Sequence, residues 1–315
     1  MLENNLRGSI LLIGVLDVKG STNIPMGISL MRHGFDVIPL NYRTVIRKYG
    51  YPFFCSMVMS LVVHRKPDLV VVCKGNGIHT GLINEINKYS KTWIFNMDPK
   101  STIDMVPEVV DNAVAATFSS CTALDMAEEW KALGANSSYL VQGVDEQMFR
   151  PMKPVKKYKA DISLIGTRTP LRDQYKEVLE QEGYDVKFYG RGYTDEEVID
   201  DDFSKVCSSS SFMLSVDSVA GVHTHYYSNR LVRYLGCGAC TLHFDPTETL
   251  NEQFVGGVDL IYFKSPEELV NILKNKFDRY SIALNGYNKV LNEYTWDTIM
   301  FHLLSTALPE KMEHL

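Results

Sequence analysis

No stretch of this chain approaches the roughly 20 consecutive apolar residues that a membrane-spanning helix requires. Its opening, MLENNLRGS, also lacks the basic-then-apolar form of an export signal. We therefore read the chain as cytoplasmic and without a membrane span. Positive charge is not in excess either: 32 Lys and Arg stand against 38 Asp and Glu, a formal net charge of -6. A protein whose main work is gripping nucleic-acid phosphates needs a basic face, so that class is disfavoured, and there is room only for a local basic groove. The six cysteines, Cys55, Cys73, Cys121, Cys207, Cys237 and Cys240, are scattered. Cys237 and Cys240 form a single C-x-x-C; with no second pair and no thioredoxin-like context, we expect buried reduced thiols rather than zinc or redox chemistry. Two phosphate-binding fingerprints are missing as well. Lys74-Gly75-Asn76-Gly77 is not a G-x-G-x-x-G, and Lys19-Gly20-Ser21 lacks the P-loop spacing, so dinucleotide dehydrogenases and P-loop NTPases are set aside.

What is present is an ordinary globular composition, 45% hydrophobic and 22% charged, over 315 residues. That length exceeds what one hydrophobic core usually serves and implies two domains. In the first half, apolar runs at 9–16, 35–40, 68–73 and 92–95 alternate with helical segments. Continuous apolar strands joined by helices mean a parallel sheet covered on both faces, with ligands beyond the carboxyl ends of its strands. The loops at those ends carry Asp17, Lys74, His79 and Asp98, and Asp17, His79 and Asp98 are the groups that could take a proton from an acceptor hydroxyl. Each has a structural reading too, since Asp and His at such positions also cap helices and turns.

Residues 151–159, with two prolines and four lysines, read as an exposed connector, and we place the domain boundary near 155: residues 1–155, then 156–315. Strand-helix alternation restarts at Asp161, and the second sheet is also expected to be parallel and doubly wound. The Ser208 to Ser211 run reads as a turn, and Asp200-Asp201-Asp202, in an acidic stretch with Asp195 and Glu196, as a solvated face. His223 and His225 have no nearby carboxylate ligand in sequence, so no metal site is assigned. Most telling is Tyr226 to Ala239, YYSNRLVRYLGCGA. It reads as a short helix presenting Ser228, Asn229, Arg230 and Arg233 and closed by glycines, and such a helix aimed at a sheet edge suits a diphosphate.

Two sets of motifs carry a family resemblance. One is FSS, a helix with W-x-x-x-G, a strand, then GVDEQMFRP at 143–151; the other is D-I-S-x-x-G, YG-x-G, S-x-R-x-x-x-x-L-x-CGA, an S-P-E-E-L helix and a terminal YTWD at 294–297. In this order they resemble CgeB-like, family-one-type glycosyltransferases of the GT-B architecture. The resemblance implies an α/β fold of two Rossmann-like, doubly wound parallel-sheet domains facing a cleft, with a terminal helix near 294–308 crossing back to the first. It implies a nucleotide diphosphate sugar as co-substrate in the second domain, no separate cofactor and no metal. The donor would be held by Gly166, Arg168, Gly190, Arg191, Ser228, Asn229, Arg230, Arg233 and His225. An acceptor hydroxyl would be presented from the first domain, with Asp17, His79 or Asp98 as base if configuration inverts. Where the family has glutamate in R-x-x-E, to bind the ribose hydroxyls, this chain has Arg233. The options are a ribose held differently, an unusual donor, a surface arginine on the far side of the helix, or a non-catalytic sugar-nucleotide binding or scaffold protein. The acceptor expected first is a cell-surface or protein glycan, and second a hydroxymethylated base in phage DNA. Alanine at Arg168 or Arg230 is expected to abolish transfer and leave folding intact.

Overall fold

A computed structural model describes residues 6–98, 108–194, 197–217 and 220–313. The chain forms two compact units, one of residues 1–141 with 296–315 and the other of residues 142–295. The division therefore falls between Val141 and Gln142 rather than near 155. The cause lies in what the stretch after Gln142 buries: Val144, Phe149 and Tyr158 are all core residues, and the Val144 N–H donates to the Tyr294 carbonyl at 2.9 Å. The presumed exposed connector is likewise pinned down, because the N–H groups of Met152 and Val155 donate to Ser208 Oγ and Ser209 Oγ at 2.9 and 2.8 Å.

The first unit holds a six-stranded sheet in the order β2-β1-β3-β4-β5-β6. Its strands are β1 (Gly8–Gly14), β2 (Phe35–Asn41), β3 (Leu69–Cys73), β4 (Lys91–Asn96), β5 (Phe118–Cys121) and β6 (Ser137–Tyr139). Every pairing is parallel. Side chains alternate between two apolar layers: Ile10, Leu12, Leu69 and Val71 enter one core, and Leu11, Ile13, Val70 and Val72 the other. With both faces covered, the central strands carry no polar alternation, and that is why they read as unbroken apolar runs. The helix Trp296–Ala307 supplies much of the first layer through Trp296, Ile299, Met300, Leu303 and Leu304. Ser29 Oγ donates to the Trp296 carbonyl at 3.0 Å, and Arg32 pairs with Asp297 at 3.3 Å, so this helix belongs to the first sheet although 154 residues of the second unit separate them in sequence.

The second unit holds five parallel strands in the order β11-β10-β9-β7-β8. They are β7 (Ala160–Ile165), β8 (Val186–Tyr189), β9 (Ser210–Ser215), β10 (Thr241–Phe244) and β11 (Ile261–Phe263). The serine run is therefore not a turn: it ends the helix Asp201–Ser209 and opens β9. In both sheets the first strand lies between the second and the third, so strand order reverses beside β1 and beside β7. Loops leaving the two flanking strands diverge at that switch point and open a crevice beyond the carboxyl ends. Among the described residues no helix is long and apolar enough to cross a membrane.

The helix Asn229–Gly236 is backed by Arg279–Glu293, which approaches closely at Gly286. A Cβ there would stand 2.2 Å from the Asp259 carbonyl oxygen and 2.8 Å from Leu235 Cδ2. Alanine elsewhere in a helix stabilises by about 1 kcal/mol over glycine. Here Gly286→Ala should instead destabilise the second unit, by about 1–3 kcal/mol from overpacking. Urea denaturation checks this, and a raised midpoint would contradict the packing.

Candidate functional site

At the carboxyl end of β7 the chain passes from Ile165 through Gly166 to Thr167, and at the end of β9 it passes from Val216 to Asp217. Two arginines cross this switch point. Arg230, in the first turn of Asn229–Gly236, donates to the Ile165 and Val216 carbonyls at 3.3 Å each, and also to Asp217 Oδ1. Arg172, in the first turn of the helix Pro170–Gln181, donates to the Val216 carbonyl through Nε at 2.9 Å and also to the Thr167 carbonyl. Both side chains crowd Gly166, where a Cβ would lie 2.5 Å from Arg230 Nη1 and 3.0 Å from Arg172 Nη1. Only a residue without a side chain leaves room for this pair.

The one carboxylate among these groups is Asp217, 4% exposed. Ser228 supplies two bonds to it, from Oγ at 2.6 Å and from N–H at 3.1 Å. Burial alone would raise the Asp217 pKa, but Arg230 and the Ser228 bonds outweigh it and hold the group down to about 2. The Arg172 pKa is lowered as well, to about 10, by burial and by the neighbouring Arg230 charge, so its charged form is disfavoured where that of Asp217 is favoured. Two guanidinium groups thus stand in the field of one carboxylate, which Arg230 alone bonds, and the cluster keeps an excess positive charge. Arg230 Nε is buried and has no hydrogen-bond partner among the described residues. An unmet donor of this kind costs about 1–3 kcal/mol unless a ligand or water accepts from it. The Tyr234 hydroxyl fixes the floor, accepting from the Ile165 N–H at 2.7 Å.

The glycine-rich turns named from sequence meet beside this cluster. Gly190 has φ +109, and a Cβ there would stand 2.7 Å from the Gly166 carbonyl oxygen, so the two backbones touch. The Gly166 N–H donates to the Tyr189 carbonyl and the Arg168 N–H to the Arg191 carbonyl, both at 2.8 Å. Arg168 itself is exposed, and its Nε donates to Asp173 at 2.8 Å. Gly166, Arg168, Gly190 and Arg191 therefore form one edge of the site, and Ser228, Asn229 and Arg230 the adjoining one. Ser228 precedes its helix without capping it, because its Oγ is turned to Asp217.

His225 and Arg233 stand apart from the arginine cluster. His225 has a left-handed backbone, φ 58; its N–H donates to Thr249 Oγ1 at 3.2 Å and its Nε2 lies 3.7 Å from the Glu252 carboxylate. Arg233 is not a surface residue on the far side of the helix. Its guanidinium lies over the Phe149 ring at 4.6 Å, and burial lowers its pKa to about 10 against the opposing pull of Cys237 and Asp200. It packs against Phe149, near the start of the second unit. Asp245, at the end of β10, is no substitute for the missing glutamate, since Oδ1 accepts from the N–H groups of Thr247 and Glu248 and Oδ2 from Leu250 N–H.

In the first unit the expected acid-base residues separate. Asp17 accepts from Thr44 Oγ1 at 2.6 Å, and bonds from Thr44 and Asn41 lower its pKa, which weakens it as a base. Asp98 accepts from Lys74 Nζ at 2.6 Å; Lys74 lines a hollow of about 250 Å³ with Lys19 and Arg43 at the β1–β3 switch. His79 stands elsewhere, edge-on to the Tyr51 ring at 4.5 Å, at the start of the helix Thr80–Ile86. Among the described residues no three His, Cys, Asp or Glu side chains could together hold a metal ion.

Sequence reasoning missed Arg172 and Asp217. Arg172 sits in a helical first turn, as an exposed arginine would, and Asp217 follows an apolar strand in a loop, as a turn residue would. Only the crossing of their elements brings both to the β7–β9 switch point, Arg172 through its bond to the Val216 carbonyl and Asp217 through its pair with Arg230.

Residues 168–305 match the family model described as "Glycosyl transferase-like", and Arg168, Arg172, Asp217 and Arg230 all lie within the matched stretch. Three solved structures share the fold over nearly their whole length. Sucrose-phosphate synthase from Thermosynechococcus elongatus is 12% identical, with TM-score 0.65, over 96% of this chain and 100% of that one. Anabaena HepE in complex with UDP-glucose is 12% identical, with TM-score 0.63, over 95% and 99%. The lipopolysaccharide outer core galactosyltransferase WaaB, in its apo form, is 12% identical, with TM-score 0.59, over 96% and 99%. At such identities the likeness establishes the two-sheet GT-B fold. No curated protein sequence matches the chain.

Asp217 makes the site's stability pH-dependent. Its folded pKa is about 2, below the unfolded value of about 3.9. Its contribution is therefore complete above about pH 5 and lost as pH falls through about 2, roughly 2 kcal/mol in all. Asp217→Asn, which leaves two arginines without their carboxylate, should destabilise by about 3–5 kcal/mol at neutral pH. Urea midpoints of both proteins, followed from pH 7 to 2, should converge in acid; a constant gap would show that the carboxylate charge is not what matters.

Proposed function

We propose that the chain transfers a sugar from a nucleotide diphosphate sugar to an acceptor hydroxyl, with the diphosphate bound at the β7–β9 switch point of the second unit. One observation carries this: Arg172 and Arg230 converge on Gly166 with a single carboxylate between them. A buried excess of positive charge is relieved by an anion. A diphosphate fits the surroundings, where glycine turns let the backbone approach and a helix starts without a side-chain cap. Catalysis would rest on stabilising the leaving diphosphate. The nucleotide diphosphate sugar is the co-substrate, and no separate cofactor is invoked.

Arg168 and Arg230 have different roles in this reading. Arg168 sits at the rim and can exchange Asp173 for a phosphate. Arg230 is 11% exposed and holds the two strand ends together, so it positions the site and offers its Nε inward. Asn229 and Arg191 lie on the same two edges, and His225 is assigned to the sugar side of the donor. In the first unit, Asp98 and His79 are the stronger base candidates, since Asp17 is the one whose carboxyl is held acidic. The acceptor we favour is a cell-surface or protein glycan, because a chain of net charge -6 is poorly suited to duplex DNA. Arg233, folded against Phe149, gives no reason to read the protein as a non-catalytic binder.

Thermal-shift measurements with UDP-, GDP-, CDP- and TDP-sugars, followed by donor hydrolysis and transfer assays, test the proposal. At least one donor should raise the melting temperature and turn over. A shift without turnover would indicate a binder, and no shift with any of them would sink the assignment. Arg168→Ala should fold as the wild type and weaken donor binding by about tenfold or more, the loss of one charge-assisted contact. Arg230→Ala should lose the donor and also destabilise the fold by about 3–5 kcal/mol, because Asp217 is left buried and unpaired. Full activity in both variants would overturn the site.

A further inference from the structure

One hollow of the second unit lies away from the switch point. It lies at the opposite, amino-terminal ends of β7, β9 and β10 and has a volume of about 550 Å³, within the usual range for small-molecule sites. Lys156, Lys159 and Arg279 line it, and among the described residues its wall contains no carboxylate. Three cations around one cavity without a counter-charge stand out in a chain whose net charge is -6. The carboxylate next in sequence, Asp278, is taken up by its own helix start, accepting from the N–H groups of Tyr280 and Ser281 and from Ser281 Oγ.

The hollow is partly open, and hydrogen bonds fix part of its wall. Ser208 and Ser209 tether the 151–159 segment to it through the Met152 and Val155 N–H groups. Ser209 Oγ and Ser210 Oγ donate to the Lys205 and Val206 carbonyls at 2.6 and 2.9 Å. Those bonds cover carbonyls at the end of Asp201–Ser209, where a helix would otherwise present partial negative charge. Across the cavity the helix Arg279–Glu293 begins, its positive end adding to the lysines. Apart from Ser211, most of the rest of the wall is apolar, with Met152 and Ala283 among its residues. At its edge the Arg279 guanidinium stacks over the exposed Tyr280 ring at 4.9 Å, a flat face on which a planar ring can lie.

We propose that this cavity is a second ligand site, separate from the donor site, for a small anion with a planar apolar ring, of the class of an aromatic phosphate or carboxylate. The anion is held by Lys156, Lys159 and Arg279, and the ring lies against the apolar wall. The site stands independently of the transferase reading, because none of its residues belongs to the switch-point cluster.

Isothermal titration of the full chain at low salt tests it with phenyl phosphate, benzoate, inorganic phosphate and benzyl alcohol as probes. Phenyl phosphate or benzoate should bind at least tenfold more tightly than inorganic phosphate and benzyl alcohol. UDP should not compete. Lys159→Gln with Arg279→Gln should weaken binding at least tenfold and leave UDP affinity unchanged. Ala283→Phe, which fills the hollow and keeps every charge, should block the aromatic anions. No binding of either aromatic anion, inorganic phosphate binding as tightly as they do, competition by UDP, or undiminished binding in both variants would each overturn the proposal.

Discussion

The second unit depends on one buried ion pair. Arg230 and Asp217 meet where β7 and β9 end, and the same guanidinium holds the terminal carbonyls of both strands. Such a pair contributes little net stability, since desolvation of the two charges offsets much of their attraction, but breaking it is costly. Its value lies in geometry. It fixes the start of the helix Asn229–Gly236 against the strand ends, orients Ser228, and leaves Gly166 the only small element between two arginines. The glycine contact between β7 and β8, the arrangement of Arg172 and the position of the uncapped helix start all follow from that anchor.

The excess charge left by the pair links structure to chemistry. A cluster with two guanidinium groups and two carboxylates would be complete by itself. With one carboxylate it is strained when empty and relaxed by an anion, which is the property a donor site for a diphosphate needs. Stability and binding are then in tension, as expected where a fold holds like charges together to recognise a ligand. The basic cavity at the other end of the sheet repeats the principle with weaker means, using exposed lysines and a helix start instead of buried arginines. Two anion-suited places at opposite ends of one sheet give the unit separate sites that need not overlap.

Much of the fold was legible in the sequence. Ile10 to Ile13 and Leu69 to Val72 are apolar at every position because each strand is covered on both faces, and no polar alternation competes with that signal. The domain boundary was less legible, for a physical reason. Proline and lysine give 151–159 the composition of a linker, yet the N–H groups of Met152 and Val155 are taken by serine hydroxyls more than fifty residues away in sequence, and composition carries no record of such a bond. Arg233 shows the same limit: its place in an R-x-x-x spacing suggested a ligand contact, whereas a ring from Phe149 had already claimed it.

The sequence by itself determined the alternation of strands and helices, the two-domain scale, the glycine turns at Gly166 and Gly190 and the helix that begins after Ser228. These are local properties, set by periodicity, by backbone freedom and by the residues that start and stop helices. Only the tertiary structure decided which arginine works inward. Arg168, Arg172, Arg230 and Arg233 look alike along the chain, and burial, a partner carboxylate and the reversal of strand order beside β7 make one a rim contact, two a charged cluster and one a packing residue. A side chain's role as ligand or as scaffold depends on what crosses it in space, and strand order, not spacing, sets that crossing.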